Sequence, residues 1–168
     1  KKPKTFLNIF IYPASLDKHK NNDRLIKAFI KVADSINEEI ILKITLNQND
    51  LAATGRNIPK NLKVEFLGKV SFDELKKHYN KSKFLIFPSL KESFGLPLIE
   101  ATQMGLYVLG SDLEYTYELI GASKYFNPLS ISSIENCINE SISENNLKLP
   151  KINVQNSIEN ILKKIIYV

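Results

Sequence analysis

The chain has little cysteine and no long apolar run. Cys137 is the one cysteine among 168 residues, so the sequence excludes an intrachain disulfide and a zinc site with Cys-x-x-Cys spacing. No apolar run approaches the roughly 20 residues that a membrane-spanning helix needs. We therefore interpret Cys137 as a small apolar residue on a helix, and the scarcity of cysteine favours a reducing, cytoplasmic compartment.

Lysines give the chain a basic balance without a long charged tract. Hydrophobic residues make up 43% and charged residues 24% of the sequence, and the net charge is +5, as in an ordinary globular protein. The cluster of Lys76, Lys77, Lys81 and Lys83 is interpreted as a solvated face, with attraction to anionic lipid or to a diphosphate-bearing substrate as alternatives. Basic and aromatic residues do not interleave as a stacking platform requires, so no nucleic-acid partner is expected.

The length of 168 residues fits one domain with a substantial core. The chain opens with Lys1 rather than methionine and shows no signal-peptide pattern. This opening suggests a processed chain or an excised fragment. No internal repeat and no second domain is evident.

Strand and helix patterns alternate along the chain. Six short apolar segments predict strands, at residues 5–12, 40–46, 62–67, 84–87, 107–109 and 125–126. Segments with helical periodicity or capping residues predict helices, at residues 22–36, 72–79, 97–104, 113–120, 131–142 and 154–166, with at most a further short helix near Leu51. This order predicts an α/β fold, a doubly wound parallel sheet with helices on both faces.

Local residue types suggest where several helices begin and end. Asn21 or Asn22 is the expected N-cap of the first helix, and Ser71 with Glu74 forms a capping box for the second. Gly121 suits the C-cap of the helix at residues 113–120.

The helix at residues 72–79 is expected to be amphipathic. Phe72, Leu75 and Tyr79 share the side that we expect to be buried. His78 falls on the opposite side and is interpreted as a surface residue.

Residues 91–101, Lys-Glu-Ser-Phe-Gly-Leu-Pro-Leu-Ile-Glu-Ala, are the most informative stretch. Glu92 and Glu100 bracket a loop that follows a predicted buried strand and becomes a helix near Pro97. Open α/β sheets bind ligands at such strand ends. The amides and dipole of a helix start attract phosphate, and a carboxylate binds sugar hydroxyls through charge-assisted hydrogen bonds.

This stretch resembles the donor-binding motif of the retaining, nucleotide-sugar-dependent glycosyltransferases of family four (group 1), which have the GT-B architecture. The resemblance extends over about residues 6–122. It implies transfer of a hexosyl group from a UDP- or GDP-hexose to a glycan or lipid-linked saccharide, with no cofactor and no bound metal. It also implies that residues 1–168 form the C-terminal, Rossmann-like donor domain, that the N-terminal acceptor domain is missing, and that this domain alone transfers little or no sugar.

The two glutamates take different roles by this resemblance. Glu100 corresponds to the residue that binds the ribose hydroxyls, and two carboxylate oxygens suit a vicinal diol. Glu92 corresponds to a residue near the reacting centre of the transferred sugar, where a carboxylate stabilises positive charge on the anomeric carbon. The structural alternatives are a glutamate that complements the helix dipole for Glu100 and a solvated loop residue for Glu92.

The residues between the glutamates supply backbone groups. By the resemblance, the amides of Ser93, Phe94, Gly95 and Leu96 face the sugar and diphosphate. Gly95 lets the chain approach a ligand without a Cβ in the way.

The loop after the first strand carries the candidate cation. Lys20 corresponds to the lysine that contacts the donor diphosphate, where it would neutralise charge as the glycosidic bond breaks. Family members usually carry an arginine several residues earlier, where this chain has Ala14. The anion site is therefore weaker, or His19 or Lys18 substitutes. A solvated polar loop is the alternative interpretation.

Two further loops bear on the nucleotide. Gly68, with residues 69–70, corresponds to the region that cradles the base through backbone groups, so uracil, guanine and adenine all remain open. A plain strand-to-helix turn is the alternative. After the second strand the chain has residues 47–50, Asn-Gln-Asn-Asp, where many family members have a glycine-rich turn.

Two other functions remain open at this stage. The absent arginine is compatible with a nucleotide-sugar-binding module that has lost transfer activity. A different GT-B enzyme, such as a nucleotide-sugar epimerase, would also bind a nucleotide at this sheet edge, although its resemblance to the Phe-Gly-Leu-Pro region is poorer. For the glycosyltransferase, the expected location is the cytoplasm, and contact with the inner face of the membrane is left open.

Overall fold

The computed structural model describes residues 8–50 and 57–153. The strands are β1 (Asn8–Tyr12), β2 (Ile40–Ile44), β3 (Leu62–Phe66), β4 (Phe84–Phe87), β5 (Tyr107–Ser111), β6 (Ile120–Gly121), β7 (Lys124–Phe126) and β8 (Lys151–Ile152). Six of them form one parallel sheet in the order β3-β2-β1-β4-β5-β7. The predicted six-stranded parallel sheet is therefore confirmed. The short antiparallel pair of β6 and β8 was not predicted.

Helices connect the strands of the large sheet. They are α1 (Asn22–Ser35), α2 (Phe72–Tyr79), α3 (Leu96–Gln103), α4 (Glu114–Leu119) and α5 (Ile131–Ser143). Because parallel crossovers are right-handed, α1, which leads toward β2, and α3, which leads toward β5 on the other side, cover opposite faces. None of the helices described at residues 8–50 and 57–153 is long and apolar enough to cross a membrane.

Three predicted pieces lie outside the described residues. They are the first residues of the strand at 5–12, the short helix near Leu51, and the helix at 154–166.

The core lies on both faces of the central strands. Every residue of β2 and β4 is buried, as expected for a parallel sheet covered by helices. Phe10 of β1 stacks on Phe84 of β4 at 4.7 Å between ring centroids and meets the edge of Phe29 of α1 at 5.2 Å. These aromatic contacts tie α1 to the middle of the sheet.

The predicted burial of α2 is partly wrong. Tyr79 is fully buried, but Phe72 is 51% exposed and lies under the Lys76 ammonium at 4.3 Å from its ring centroid. His78 is not a simple surface residue, because its Nδ1 is buried without a hydrogen-bond partner. Burial, with Lys43 nearby, lowers the pKa of His78. Phe72 is the first residue of α2, and residues 71–74 at this end of the helix are all exposed.

The helix ends also differ in part from the predictions. The capping box of Ser71 and Glu74 is confirmed. Asn21 occupies the N-cap position of α1, but its side chain does not cap the helix. Gly121 is not the C-cap of α4. The helix ends at Leu119, the extended residue Ile120 is its C-cap, and Gly121 belongs to β6.

Cys137 lies on α5 and is buried, as predicted. Burial raises the pKa of its thiol to about 12. The thiol therefore stays protonated at neutral pH and packs as an apolar group.

The aromatic cluster gives a direct test of the core. We expect Phe10→Ala to lower the free energy of unfolding by about 3–5 kcal/mol, because it leaves a cavity between β1, β4 and α1. Phe72→Ala is the matched control and should cost about 0.5 kcal/mol or less, since its ring is exposed. Guanidinium unfolding curves of the two variants measure both values. Equal losses would contradict the assigned positions of the two rings.

Candidate functional site

The site lies where neighbouring strands send their connections in opposite directions. β1 and β4 are paired in the middle of the sheet, but β1 continues toward β2 and β4 toward β5. The loops after these two strands therefore separate and leave a crevice at the carboxyl edge of the sheet. In open α/β sheets this switch point is the usual place for a ligand.

Lys20 and Glu92 meet across this crevice. Lys20 comes from the loop after β1 and Glu92 from the loop after β4, and Nζ lies 2.5 Å from Oε1. Their side chains are only 16% and 11% exposed. The Lys20 ammonium also lies 5.3 Å from the ring centroid of Phe87. The sequence placed both residues in the site, and the structure brings them into direct contact.

Backbone contacts hold the Lys20 turn in place. The Tyr12 hydroxyl donates to the Lys20 carbonyl at 2.5 Å, and the Leu90 amide donates to the His19 carbonyl at 2.7 Å. His19 thus joins the two loops through its backbone and also lines the cleft beside Glu92. The cation is therefore presented from a turn whose backbone is hydrogen-bonded to β1 and to the loop after β4.

Glu100 lies in the first turns of α3, as predicted, and has a partner that was not predicted. The hydroxyl of the buried Tyr79 donates to Glu100 Oε2 at 3.0 Å. Tyr79 is the last residue of α2, so this bond joins the helices that precede β4 and follow it. It fixes the orientation of the Glu100 carboxylate.

The residues between the two glutamates form an open cleft. A cavity of about 350 Å³ is lined by residues 91–97 and His19. Phe94 and Leu96 expose 76% and 57% of their surface there. Gly95 precedes α3 in a left-handed conformation, with φ of 54°. The first amides of a helix have no acceptor within it, so this end of α3 can donate to an anion.

A second cleft lies on the other side of Lys20. It has a volume of about 470 Å³. The residues that follow β1 and β2 and the loop before α2 form most of its lining, which includes Lys20, Thr45, Lys69 and Val70. Ala14, where the resemblance implies an arginine, binds Thr45 Oγ1 through both its amide and its carbonyl.

Gly68 is set apart from the central pair. It follows β3, two strands away from β1, and has φ of 63°. Its amide donates to the Leu46 carbonyl at 3.1 Å, and a Cβ at this position would come within 2.9 Å of Asn47 Oδ1. Its neighbours Lys69 and Val70, rather than Gly68 itself, face the second cleft.

Three tyrosines near the two glutamates act as neutral hydrogen-bond donors, Tyr79 to the Glu100 carboxylate and Tyr12 and Tyr115 to backbone carbonyls. Burial raises the pKa of Tyr12 and of Tyr79, and the negative charges of Glu92 and Glu100 respectively raise them further. Burial likewise raises the pKa of Tyr115, whose hydroxyl donates to the Ser89 carbonyl at 2.8 Å. All three phenols stay protonated at neutral pH, which they must do to donate these bonds.

Among residues 8–50 and 57–153, no group of three His, Cys, Asp or Glu side chains is arranged to hold a metal ion. The charges that meet at the crevice are those of Lys20 and Glu92.

Sequence reasoning missed the residues that orient the site. Tyr12 and Tyr79 end a strand and a helix in the sequence, and nothing local marks them as partners of Lys20 and Glu100. Asn21 was considered as a helix cap and, by the resemblance, as the residue that follows the diphosphate-binding lysine, without a role of its own. Its position directly after Lys20, in a loop that leaves a buried strand, was the available signal.

The preference for glycine in the turn before α3 can be tested by substitution. A Cβ on Gly95 would lie 2.4 Å from Leu119 Cδ1, whereas one on Gly105, at φ of 76°, would meet nothing within 4 Å. We expect Gly105→Ala to cost roughly 1–2 kcal/mol from the left-handed backbone alone. Gly95→Ala should cost roughly 2–4 kcal/mol, because a steric clash is added. Chemical unfolding of both variants gives the comparison, and a larger loss for Gly105→Ala would contradict it.

Known proteins share the sequence and the fold of this chain. The family model described as glycosyl transferases group 1 matches residues 1–159. The O-antigen chain mannosyltransferase RfbU of Salmonella typhimurium is 34% identical over 126 residues, which are 72% of this chain and 35% of that protein. The serotype-specific mannosyltransferase WbdA of Escherichia coli is 36% identical over 80 residues, 47% of this chain and 10% of that protein. The chain thus spans about a third or less of these relatives.

Two solved structures illustrate the likeness of fold. The pneumococcal O-GlcNAc transferase GtfA matches with a TM-score of 0.67 and 24% identity over 87% of this chain and 30% of its own. The sucrose-phosphate synthase of Thermosynechococcus elongatus matches with a TM-score of 0.66 and 20% identity, over 82% and 37% of the two chains. The predicted Rossmann-like fold is therefore confirmed, and the match of the family model over nearly the whole sequence shows that the chain belongs to the group 1 glycosyl transferases.

Proposed function

We propose that this chain is the donor-binding domain of a glycosyltransferase that moves a hexosyl group, with retention, from a UDP- or GDP-hexose to a glycan or lipid-linked saccharide. The observation that carries the proposal is the contact of Lys20 with Glu92 at the switch point of the sheet. One cation and one carboxylate there match the two parts of a donor, an anionic diphosphate and a neutral sugar with many hydroxyls that can donate hydrogen bonds.

The diphosphate is assigned to Lys20 and to the start of α3. Lys20 is paired with Glu92 at 2.5 Å. A diphosphate in the crevice offers Lys20 a stronger anionic partner, and the amides of Gly95 and Leu96 supply further donors. As the bond to the sugar breaks, negative charge grows on the leaving diphosphate, and Lys20 stabilises it.

The sugar is assigned to the side of Glu92. Once Lys20 turns to the diphosphate, the Glu92 carboxylate becomes free to accept hydrogen bonds from sugar hydroxyls. A negative charge at this place also stabilises positive charge on the anomeric carbon. The exposed Ser93 and Phe94 line the same cavity and would contact the sugar beside Glu92.

The ribose is assigned to Glu100. Its Oε2 is held by Tyr79, so the carboxylate has one fixed orientation and Oε1 is the acceptor assigned to a ribose hydroxyl. The base then extends toward the second cleft, near Lys69 and Val70. Because RfbU and WbdA are named mannosyltransferases, mannose is the hexose we propose first.

The remaining parts of the reaction belong to the complete protein. The chain spans about a third of RfbU, and we propose that the acceptor site lies in an N-terminal domain outside these 168 residues. We further propose that residues 1–168 form one domain, with weak donor binding and little transfer on its own. A cytoplasmic location with contact at the inner face of the membrane fits a lipid-linked acceptor.

Donor binding is the first test. We expect calorimetric titration of the chain to give heat with a UDP- or GDP-hexose. Glu100→Gln should weaken binding about 10- to 100-fold, because a hydrogen bond to a charged group contributes roughly 1.5–3 kcal/mol. Glu114→Gln, on the exposed start of α4, is the matched control and should bind as the unaltered chain does. No heat with UDP-, GDP- and ADP-sugars, or unchanged affinity of Glu100→Gln, would contradict the proposal.

A nucleotide-sugar-binding module without transfer activity is the second candidate. It is favoured by Ala14, whose backbone groups are taken by Thr45 and which puts no cation beside Lys20. Sugar transfer by the complete protein separates the two candidates. Loss of turnover in Lys20→Met and Glu92→Gln supports the enzyme, whereas unchanged turnover in both variants contradicts the roles assigned to these residues.

A further inference from the structure

Asn21, directly after Lys20, combines an unusual backbone with deep burial. Its φ is 62°, and within residues 8–50 and 57–153 it is the one residue other than glycine with a positive φ. Its side chain is 5% exposed. Left-handed backbone is disfavoured for residues with a Cβ, although asparagine tolerates it better than most. Glycine would be the simpler choice, so the asparagine side chain calls for an explanation.

The side chain is fully used, but none of its bonds caps α1. Nδ2 donates to the Pro88 carbonyl at 3.1 Å and to the Pro128 carbonyl at 2.7 Å. Oδ1 accepts from Arg24 Nη1 at 3.0 Å. Both amide protons and one oxygen lone pair are therefore engaged.

These bonds connect three loops at one edge of the sheet. Asn21 ends the loop after β1, Pro88 begins the loop after β4 that carries Glu92, and Pro128 lies in the loop after β7. The bond to Pro88 crosses the crevice between β1 and β4. The backbone next to Lys20 is thus tied to the loop of its partner carboxylate by a link that does not involve either charged side chain.

Arg24 determines which way the Asn21 amide faces. A guanidinium only donates hydrogen bonds, so it pairs with Oδ1 and leaves Nδ2 for the two carbonyls. Arg24 therefore supports the tie through Asn21 instead of supplying a second cation to the crevice.

From this geometry we infer that Asn21 is a positioning residue for Lys20. It holds the Lys20 turn against the loops after β4 and β7, so that the ammonium stays at the diphosphate position when the bond to Glu92 is exchanged for the donor. This role rests on the proposed function. It differs from the roles of Lys20 and Glu92, because Asn21 is buried behind them and acts on the donor through Lys20.

The test compares Asn21→Gly with the unaltered chain. Glycine keeps the left-handed backbone accessible and removes the two cross-loop bonds together with the bond from Arg24. We expect affinity for the nucleoside diphosphate hexose to fall about tenfold, since several hydrogen bonds that fix one charged group are lost. Affinity for the matching nucleoside monophosphate, which lacks the second phosphate, should change less than about twofold. Equal loss for both ligands would overturn the inference.

Asn61→Ala is the matched control. Asn61 precedes β3 at the opposite edge of the sheet, and its Nδ2 donates to the Ala33 and Ile36 carbonyls, both at 2.9 Å. It is thus a second asparagine whose side chain donates hydrogen bonds to backbone carbonyls, but it lies far from the crevice. Its replacement should lower the melting temperature by an amount similar to that for Asn21→Gly and leave donor affinity unchanged. A similar fall in affinity would show that general loss of stability explains both variants.

A double-mutant cycle isolates the dependence on Lys20. In a Lys20→Met background, Asn21→Gly should change donor affinity less than about twofold, because the group that it positions is gone. Additive losses would overturn the inference. If Asn21→Gly does not fold, Asn21→Asp takes its place, since it retains the acceptor for Arg24 and lacks the donors for Pro88 and Pro128.

The outcomes also separate this inference from the proposed function. If the unaltered chain binds no nucleotide sugar, both the proposed function and the positioning role of Asn21 are contradicted. A different outcome is that the unaltered chain binds a nucleotide sugar in a way that depends on Glu100 but is unaffected by Asn21→Gly and Asn21→Asp. That result would support the proposed function and contradict only the positioning role of Asn21.

Discussion

The parallel pairing of β1 with β4 is the constraint on which the site depends. Residues 10–12 of β1 and all of β4 are buried by helices, and their side chains are aliphatic or aromatic, so these strands supply few polar groups themselves. Right-handed crossovers carry the chain away from this pair in opposite directions, and the two loops at the carboxyl edge separate. Chemistry is therefore confined to these loops and to the helix starts that follow them. The positions of Lys20 and Glu92 are a consequence of topology rather than of any local preference.

Desolvation explains why those two charges are in contact with each other. A partly buried charge without a partner is costly, and both side chains are mostly shielded from water. Each group therefore serves as the electrostatic partner of the other. In the proposed function, a donor replaces both partners at once, because its diphosphate binds the ammonium and its sugar hydroxyls bind the carboxylate. The neighbouring phenols have raised pKa values, so they add no competing charge.

The sequence was sufficient for the features that repeat or lie close together in the chain. Apolar runs predicted the six strands of the large sheet, and the 91–101 motif predicted the family. It was insufficient where one long-range contact decides the outcome. The bond from Tyr79 to Glu100 joins two helices, and Phe72 lies at the exposed start of α2. Neither leaves a periodic pattern. Asn21 was assigned to a local cap because its actual partners are 67 and 107 residues away.

Two helix starts beside the crevice show how the same backbone turn can be made by different residues. Gly95 before α3 and Asn21 before α1 adopt nearly equal dihedral angles, φ 54° and ψ 32° against φ 62° and ψ 30°. At position 95 a Cβ would lie 2.4 Å from Leu119 Cδ1, so glycine is the residue that fits without displacing this methyl group. At position 21 two carbonyls from other loops need donors, and asparagine is the residue that tolerates the turn and supplies both protons. The residue type at each turn is thus set by its tertiary surroundings, and the two turns together hold the loops on either side of the Lys20–Glu92 pair.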